Sequence, residues 1–205
     1  LRGVDTHGIR LFPHYLSVLK GGRINGNPNF KFERTGASTA ILDADHTFGH
    51  AACYRGARHA IDIARETGIC LVSIKNSSHC GAMACYGLEI AKKDMIGLAF
   101  TNATSKLRSP NSIKPFFGIN PICLTAPMDC EEPFCFDSAP SHITSNKLKM
   151  HKESGELLPI GVAANEDGIP TQDPNKAFQL LPIGDYKGFG WAMMVEILCG
   201  VLSGM

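Results

Sequence analysis

The stretch from residue 69 to residue 101 constrains the fold more than any other. It reads as a short apolar run (Ile69-Cys70-Leu71-Val72-Ser73-Ile74), a polar turn over 76–81, a helical stretch over 82–93 and a second strand-like run over 95–101. Short apolar runs bounded by turn residues are strands of the buried kind, and strand, helix and strand in succession suggest an α/β layer. Upstream, residues 13–20 predict an amphipathic helix, opened by Pro13 and closed by Gly21-Gly22. A strand is expected at 40–42. The spacing of Ala57, Ala60, Ile61 and Ala64 predicts a helix over 50–67 that Gly68 caps. Further on, strands are expected at 122–126 and 134–136 and helices at 143–151 and 188–202, with loops over 102–121 and 153–185.

Bulk properties exclude several classes. Twenty basic against nineteen acidic residues leave a net charge of +1, so nothing attracts nucleic acid or an anionic membrane. No stretch reaches the ~18 apolar residues of a membrane helix. The longest, 191–202, contains Glu196 and reads as a buried helix. Several of the eight cysteines sit in apolar runs, which reads as buried free thiols in a reducing compartment and places the protein in the cytoplasm.

Three turns carry candidate chemistry. Asp5-Thr6-His7-Gly8-Ile9-Arg10 joins an imidazole to a guanidinium. Reduction of a 2-oxoacid needs a cation for the carboxylate, which Arg10 supplies bidentately, and a proton donor for the carbonyl oxygen, which a histidine supplies near neutral pH. Read locally, a structural His7 beside a surface Arg10 fits as well. Asn76-Ser77-Ser78-His79-Cys80-Gly81 closes a strand, where α/β proteins place ligands. Here Asn76 and the serines could orient His79, or Ser78 could simply cap the next helix. Asp185-Tyr186-Lys187-Gly188-Phe189-Gly190 precedes an apolar helix; its glycines, helix N-terminus and Lys187 would suit a phosphate, and a plain glycine turn is the alternative. No Gly-x-Gly-x-x-Gly follows a strand, so no Rossmann fingerprint is present. A different class, a zinc module using Cys80/Cys85 and Cys130/Cys135, has spacing at the loose end for structural zinc.

The joint order of Gly3-Val4-Asp5-Thr6-His7-Gly8, residues 76–81, Gly118-Ile119-Asn120-Pro121, Asp137-Ser138-Ala139, Pro170-Thr171-Gln172-Asp173-Pro174 and Lys187-Gly188-Phe189-Gly190 resembles the malate/L-lactate dehydrogenase family. The resemblance covers nearly the whole chain. It implies a non-Rossmann mixed α/β fold with part of a helical domain, in a chain that is a fragment of a longer protein. Residues 1–68 would form the substrate-side segment and 69–205 the cofactor-binding part.

It implies NAD or NADP as cofactor and a small 2-oxo or 2-hydroxy acid (or an imino acid) as substrate. Members are homodimers. No metal ligands are assigned. By position, His7 resembles the substrate-contacting histidine, which is the proton donor of some members, and His79 the acid/base histidine of others, on the cofactor side; the resemblance leaves both open as the proton donor. Arg10 resembles the carboxylate-binding arginine, which in the family falls one position later, at Leu11 here. Ala103 stands where some members have a substrate-contacting serine, and Thr104 is beside it. Asn120, Asp137, Ser138, Ala139, Lys187 and Gly188 resemble cofactor contacts. An inactive fragment, with a half-built cofactor site that binds nothing, is the remaining alternative.

Overall fold

The computed structural model describes residues 6–129 and 131–204. Gly3-Val4-Asp5 of the first motif and Cys130 of the zinc alternative lie outside the described residues. The chain divides into two compact units that alternate along the sequence. One comprises Leu1–Ala99, Cys123–Asp137 and Cys199–Met205, the other Phe100–Ile122 and Ser138–Leu198. The expected division at residue 68 was one of roles; this one is of packing.

The first unit opens with a 3₁₀ turn, Ile9–Leu11, that runs into α1 (Phe12–Lys20). Its first sheet has the order β1-β2-β3 (Lys31–Arg34, Thr39–Asp43, Leu71–Lys75). β1 pairs antiparallel with β2 and β2 pairs parallel with β3, Thr39 facing Leu71 and Asp43 facing Lys75. A parallel pair needs a crossover, and α2 (Gly49–Thr67) provides it. The helix buries Gly49, Ala52, Gly56, Ala57, Ile61 and Ile63, a broad face rather than a narrow stripe. Gly56 lies so close to β3 that a Cβ there would stand 2.6 Å from Ile74 Cδ1. Gly68 ends α2 at φ 84°, its N–H donating to Ala64 O.

A second sheet of order β4-β7-β8 (Gly97–Phe100, Ile122–Ala126, Phe134–Ser138) packs with α3 (Ala84–Ala91). Thr125 Oγ1 donates to Gly87 O of that helix at 2.7 Å. Ala57, Cys80, Met83, Ala84, Tyr86 and Cys123 form the buried cluster.

The second unit is built on a mixed sheet of order β6-β5-β10-β9 (Pro115–Gly118, Ser105–Arg108, Gln179–Leu180, Ala163–Ala164). β5 runs antiparallel to β6 and parallel to β10. Leu158, Val162, Ala163, Ala177 and Leu180 form its core. Two helices accompany it. α4 (Ser145–Ser154) is capped by Thr144, whose hydroxyl accepts from Lys147 N. α5 (Tyr186–Glu196) passes into a π turn, Ile197–Val201.

The mixed α/β class is as expected. Strands β1, β5, β6, β9 and β10 were not expected, and the reason is physical. β1 is an exposed edge, β5 offers one apolar residue, Leu107, and β9 and β10 are two residues long. Such strands exist through the strands they pair with, which their own periodicity does not report. Among the described residues no helix is long and apolar enough to cross a membrane.

Candidate active site

The parallel strands β2 and β3 end side by side, and the loop that leaves β3 carries His79. Its backbone is pinned from two directions. Asn76 stands at φ 51° and donates both contacts of its amide to the Asp43 carboxylate, each at 3.0 Å. Ser78 Oγ accepts from Gly49 N, the first residue of α2, at 3.0 Å. Gly49 itself has no room for a side chain: a Cβ would lie 2.1 Å from Ser78 O. Asn76 and Ser78 therefore fix the loop rather than the imidazole. Ser78 caps the helix before it in sequence, α2, rather than the one after.

The ring of His79 is held by a residue that motif reading did not single out. Tyr15, on α1, places its hydroxyl 2.7 Å from His79 Nδ1, with the two rings stacked at 5.9 Å and 29°. His7 stacks on His79 at 5.8 Å between centroids and 14° between planes. Thr6 Oγ1 lies 2.8 Å from His7 Nδ1. His50 meets Tyr15 edge-on at 5.1 Å, and Gly81 (φ 70°) is glycine where a Cβ would touch His50 Nε2 at 2.8 Å. The signal available in sequence was weak: Tyr15 sits one turn beyond Arg10 on a short helix of aromatic and imidazole residues.

Crowding sets the protonation state. Burial of the ring, and the neighbouring imidazoles of His7, His50 and His14, pull His79 down to about 4. His79 nonetheless remains exposed to solvent. His7 is lowered by burial, opposed by the Asp137 carboxylate; His50 is lowered by burial. Burial pushes Tyr15 up to about 12. At neutral pH the centre is thus a neutral phenol against a neutral imidazole. Tyr15 donates to Nδ1 when His79 carries its proton on Nε2, and accepts in the other tautomer. Asp137 reaches the same unit through a second contact: its Oδ2 accepts from Ala84 N at 2.7 Å, capping α3. Arg10 lies exposed on the 3₁₀ turn leading into α1.

The remaining candidates belong to the second unit, which presents its own constellation. Gly188 is buried at the first turn of α5, where a Cβ would stand 2.5 Å from Pro140 O and 2.6 Å from Ile183 O. Its N–H donates to Ile183 O and that of Lys187 to Gly184 O. Both amides are engaged by backbone carbonyls, so an anion at this turn would meet the exposed Lys187 ammonium rather than the Gly188 N–H. Ser138 Oγ donates to Ala139 O at 3.1 Å, and both residues are half-buried. The donor set (one exposed cation, one hydroxyl and a tightly turned backbone) fits the phosphate and sugar groups of a dinucleotide.

Asn120 is fully buried, its oxygen accepting from Ala103 N and its amide donating to Ala192 O and Glu196 Oε2. It thus acts on the loop of Ala103 and Thr104, which are exposed. The zinc alternative finds no support. Cys80 is buried while Cys85 is exposed, and no three His, Cys, Asp or Glu side chains among the described residues are grouped to hold a metal ion.

Comparison with known proteins extends this geometry. A family model described as malate/L-lactate dehydrogenase matches residues 1–205. The chain is 37% identical to the malate dehydrogenase of Pyrococcus abyssi, over all of this chain and 59% of that protein. It is 33% identical to the (2R)-3-sulfolactate dehydrogenase (NADP(+)) of Chromohalobacter salexigens, over 98% of this chain and 61% of that one. Its fold matches the crystal structure of delta1-piperideine-2-carboxylate reductase from Pseudomonas syringae with a TM-score of 0.94 at 34% identity, covering 98% of this chain and 62% of the other. The chain therefore spans about three fifths of the length of the proteins it matches.

Proposed function

The chain belongs to the malate/L-lactate dehydrogenase family, and we propose that it transfers a hydride between NAD or NADP and a small 2-oxo or 2-hydroxy acid. A bound nicotinamide would supply the hydride chemistry; the protein supplies orientation and electrostatics. The observation that carries this reading is the stack of His7 on His79 with the Tyr15 hydroxyl on Nδ1.

In oxidation of the 2-hydroxy acid, a base must take the hydroxyl proton as the hydride leaves carbon 2. A neutral imidazole is such a base at pH 7, and the low pKa of His79 keeps it neutral. Tyr15 holds the ring so that Nε2 presents its lone pair or its proton. In reduction, the same nitrogen returns the proton to the carbonyl oxygen or imine nitrogen. An anionic substrate beside His79 and His7 favours their protonated forms, opposing the desolvation that lowers them. His7 and Arg10 meet the substrate carboxylate, with Ala103 and Thr104 as further substrate contacts. Asp137, Ser138, Ala139, Lys187 and Gly188 form the cofactor side, with Asn120 supporting it from within.

Residues 1–68 carry the substrate-side segment and 69–205 the cofactor-binding part. The protein works as a cytoplasmic homodimer. Exposed Ile9 and Val201 are apolar surface that a second copy would cover. Light scattering of the purified protein checks the dimer.

The test of activity is loss of nicotinamide absorbance with pyruvate, oxaloacetate and a cyclic imine. At least one should be reduced, and His79→Ala should slow that turnover by about a hundredfold or more. Full turnover in the variant would remove His79 from the mechanism.

A further inference from the structure

Helix α5 and the π turn after it form an apolar segment with one acid, Glu196. A carboxylate in such a helix is costly unless both oxygens find donors. Both do. Asn120 Nδ2 donates to Oε2 at 2.8 Å and Asn102 Nδ2 to Oε1 at 3.1 Å. Asn120 Nδ2 also donates to Ala192 O at 2.9 Å, one turn earlier on the helix. The network ends at a backbone: Asn120 Oδ1 accepts from Ala103 N at 2.9 Å. The carbonyl of the same residue is fixed by Gly118, where a Cβ would stand 2.1 Å from Ala103 O. Ala103 and Thr104 are themselves exposed, so their side chains do little to set the loop. The helical register widens to π at the residue after Glu196, a local irregularity often retained where a site demands it.

We infer that Glu196 is a positioning residue: through Asn102 and Asn120 it locks the Ala103–Thr104 backbone to α5 and so sets the pose of the substrate. This rests on the reading of Ala103 and Thr104 as substrate contacts. The two amides differ in freedom. Asn120 uses its oxygen on Ala103 and its nitrogen on Ala192, so it cannot rotate. Asn102 can turn to offer its oxygen. Glu196→Gln, with one acceptor and one donor, is therefore accommodated, whereas Glu196→Ala leaves the buried Asn120 amide and the half-buried Asn102 amide without their carboxylate.

The test uses the full-length protein with its nicotinamide cofactor and a reducible 2-oxoacid. Glu196→Ala should raise the KM for the oxoacid about tenfold or more while the cofactor KM stays within about twofold. Hydrogen exchange over residues 101–105 should quicken in the same variant. Glu196→Gln should stay near the parent on all three readouts. Asn102→Ala should shift the oxoacid KM and the exchange in the same direction by less, and it serves if Glu196→Ala does not fold. Unchanged exchange over 101–105 in the folded variants overturns the clamp. A cofactor KM that rises together with the oxoacid KM overturns its assignment to the substrate loop. Should the parent turn over no oxoacid at all, the functional reading fails, and exchange still supports or overturns the clamp.

Discussion

Tyr15 and His79 are 64 residues apart in the chain and share one hydrogen bond. That bond decides which way the imidazole points, so the hydroxyl can be removed without removing the ring. Tyr15→Phe keeps the stacking on His79 and loses the oriented contact. The expected outcome is a fall in kcat of about tenfold at neutral pH, the size of one net hydrogen bond, with little change in melting temperature. Steady-state kinetics alongside a thermal melt check it; an unchanged kcat would make Tyr15 a packing residue. His7 and His79 were legible as residues because a histidine in a glycine turn, before a helix or at a strand end, is chemically loaded. Their contact was not legible, because two loops 72 residues apart carry no local sign that they stack. Tyr15 was missed for a related reason: an aromatic on a short amphipathic helix reads first as packing. Asn120 shows the opposite case, a motif residue whose side chain turns inward to a backbone amide rather than outward.

At the scale of elements, two glycines set how closely helices approach their supports. Gly56 of α2 rests on Ile74 of β3, and Gly188 of α5 rests on the backbone at Pro140 and Ile183. The two sites should respond differently. At Gly56 the obstacle is the end of a side chain, which can rotate away, so Gly56→Ala should cost about 1 kcal/mol. At Gly188 the obstacle is backbone, so Gly188→Ala should cost about 3 kcal/mol and move the Lys187 turn. Denaturant unfolding of both variants checks the order; equal losses would contradict it. The longer helices were readable from their 3.6-residue period, and strands such as β3 and β7 from short apolar runs between turns. The start of α3 was not, because its cap is Asp137, 53 residues away on β8. Nor was the π turn after Glu196, which ends the regular helix earlier than its apolar pattern suggests.

At the scale of the whole molecule, the lowered histidines make stability depend on pH with a definite sign. The fold holds His79 near 4 against an ordinary value of 6.5, and His7 and His50 also move down. Between those values the unfolded chain binds more protons than the folded one, so stability falls as pH drops from about 6.5 toward 4 and levels off below. Replacing His79 by Asn should flatten part of that slope in thermal melts; a steeper slope would contradict the crowding account. The function proposed for the chain is one reaction, hydride transfer at carbon 2 of a small acid. It is tested most directly by following the hydride itself. With a nicotinamide cofactor deuterated at the transferable 4-position, mass spectrometry of the 2-hydroxy acid product should show one deuterium at carbon 2, formed about a hundredfold more slowly in His79→Ala. Product without the label, or with the label at an undiminished rate in that variant, would contradict the account.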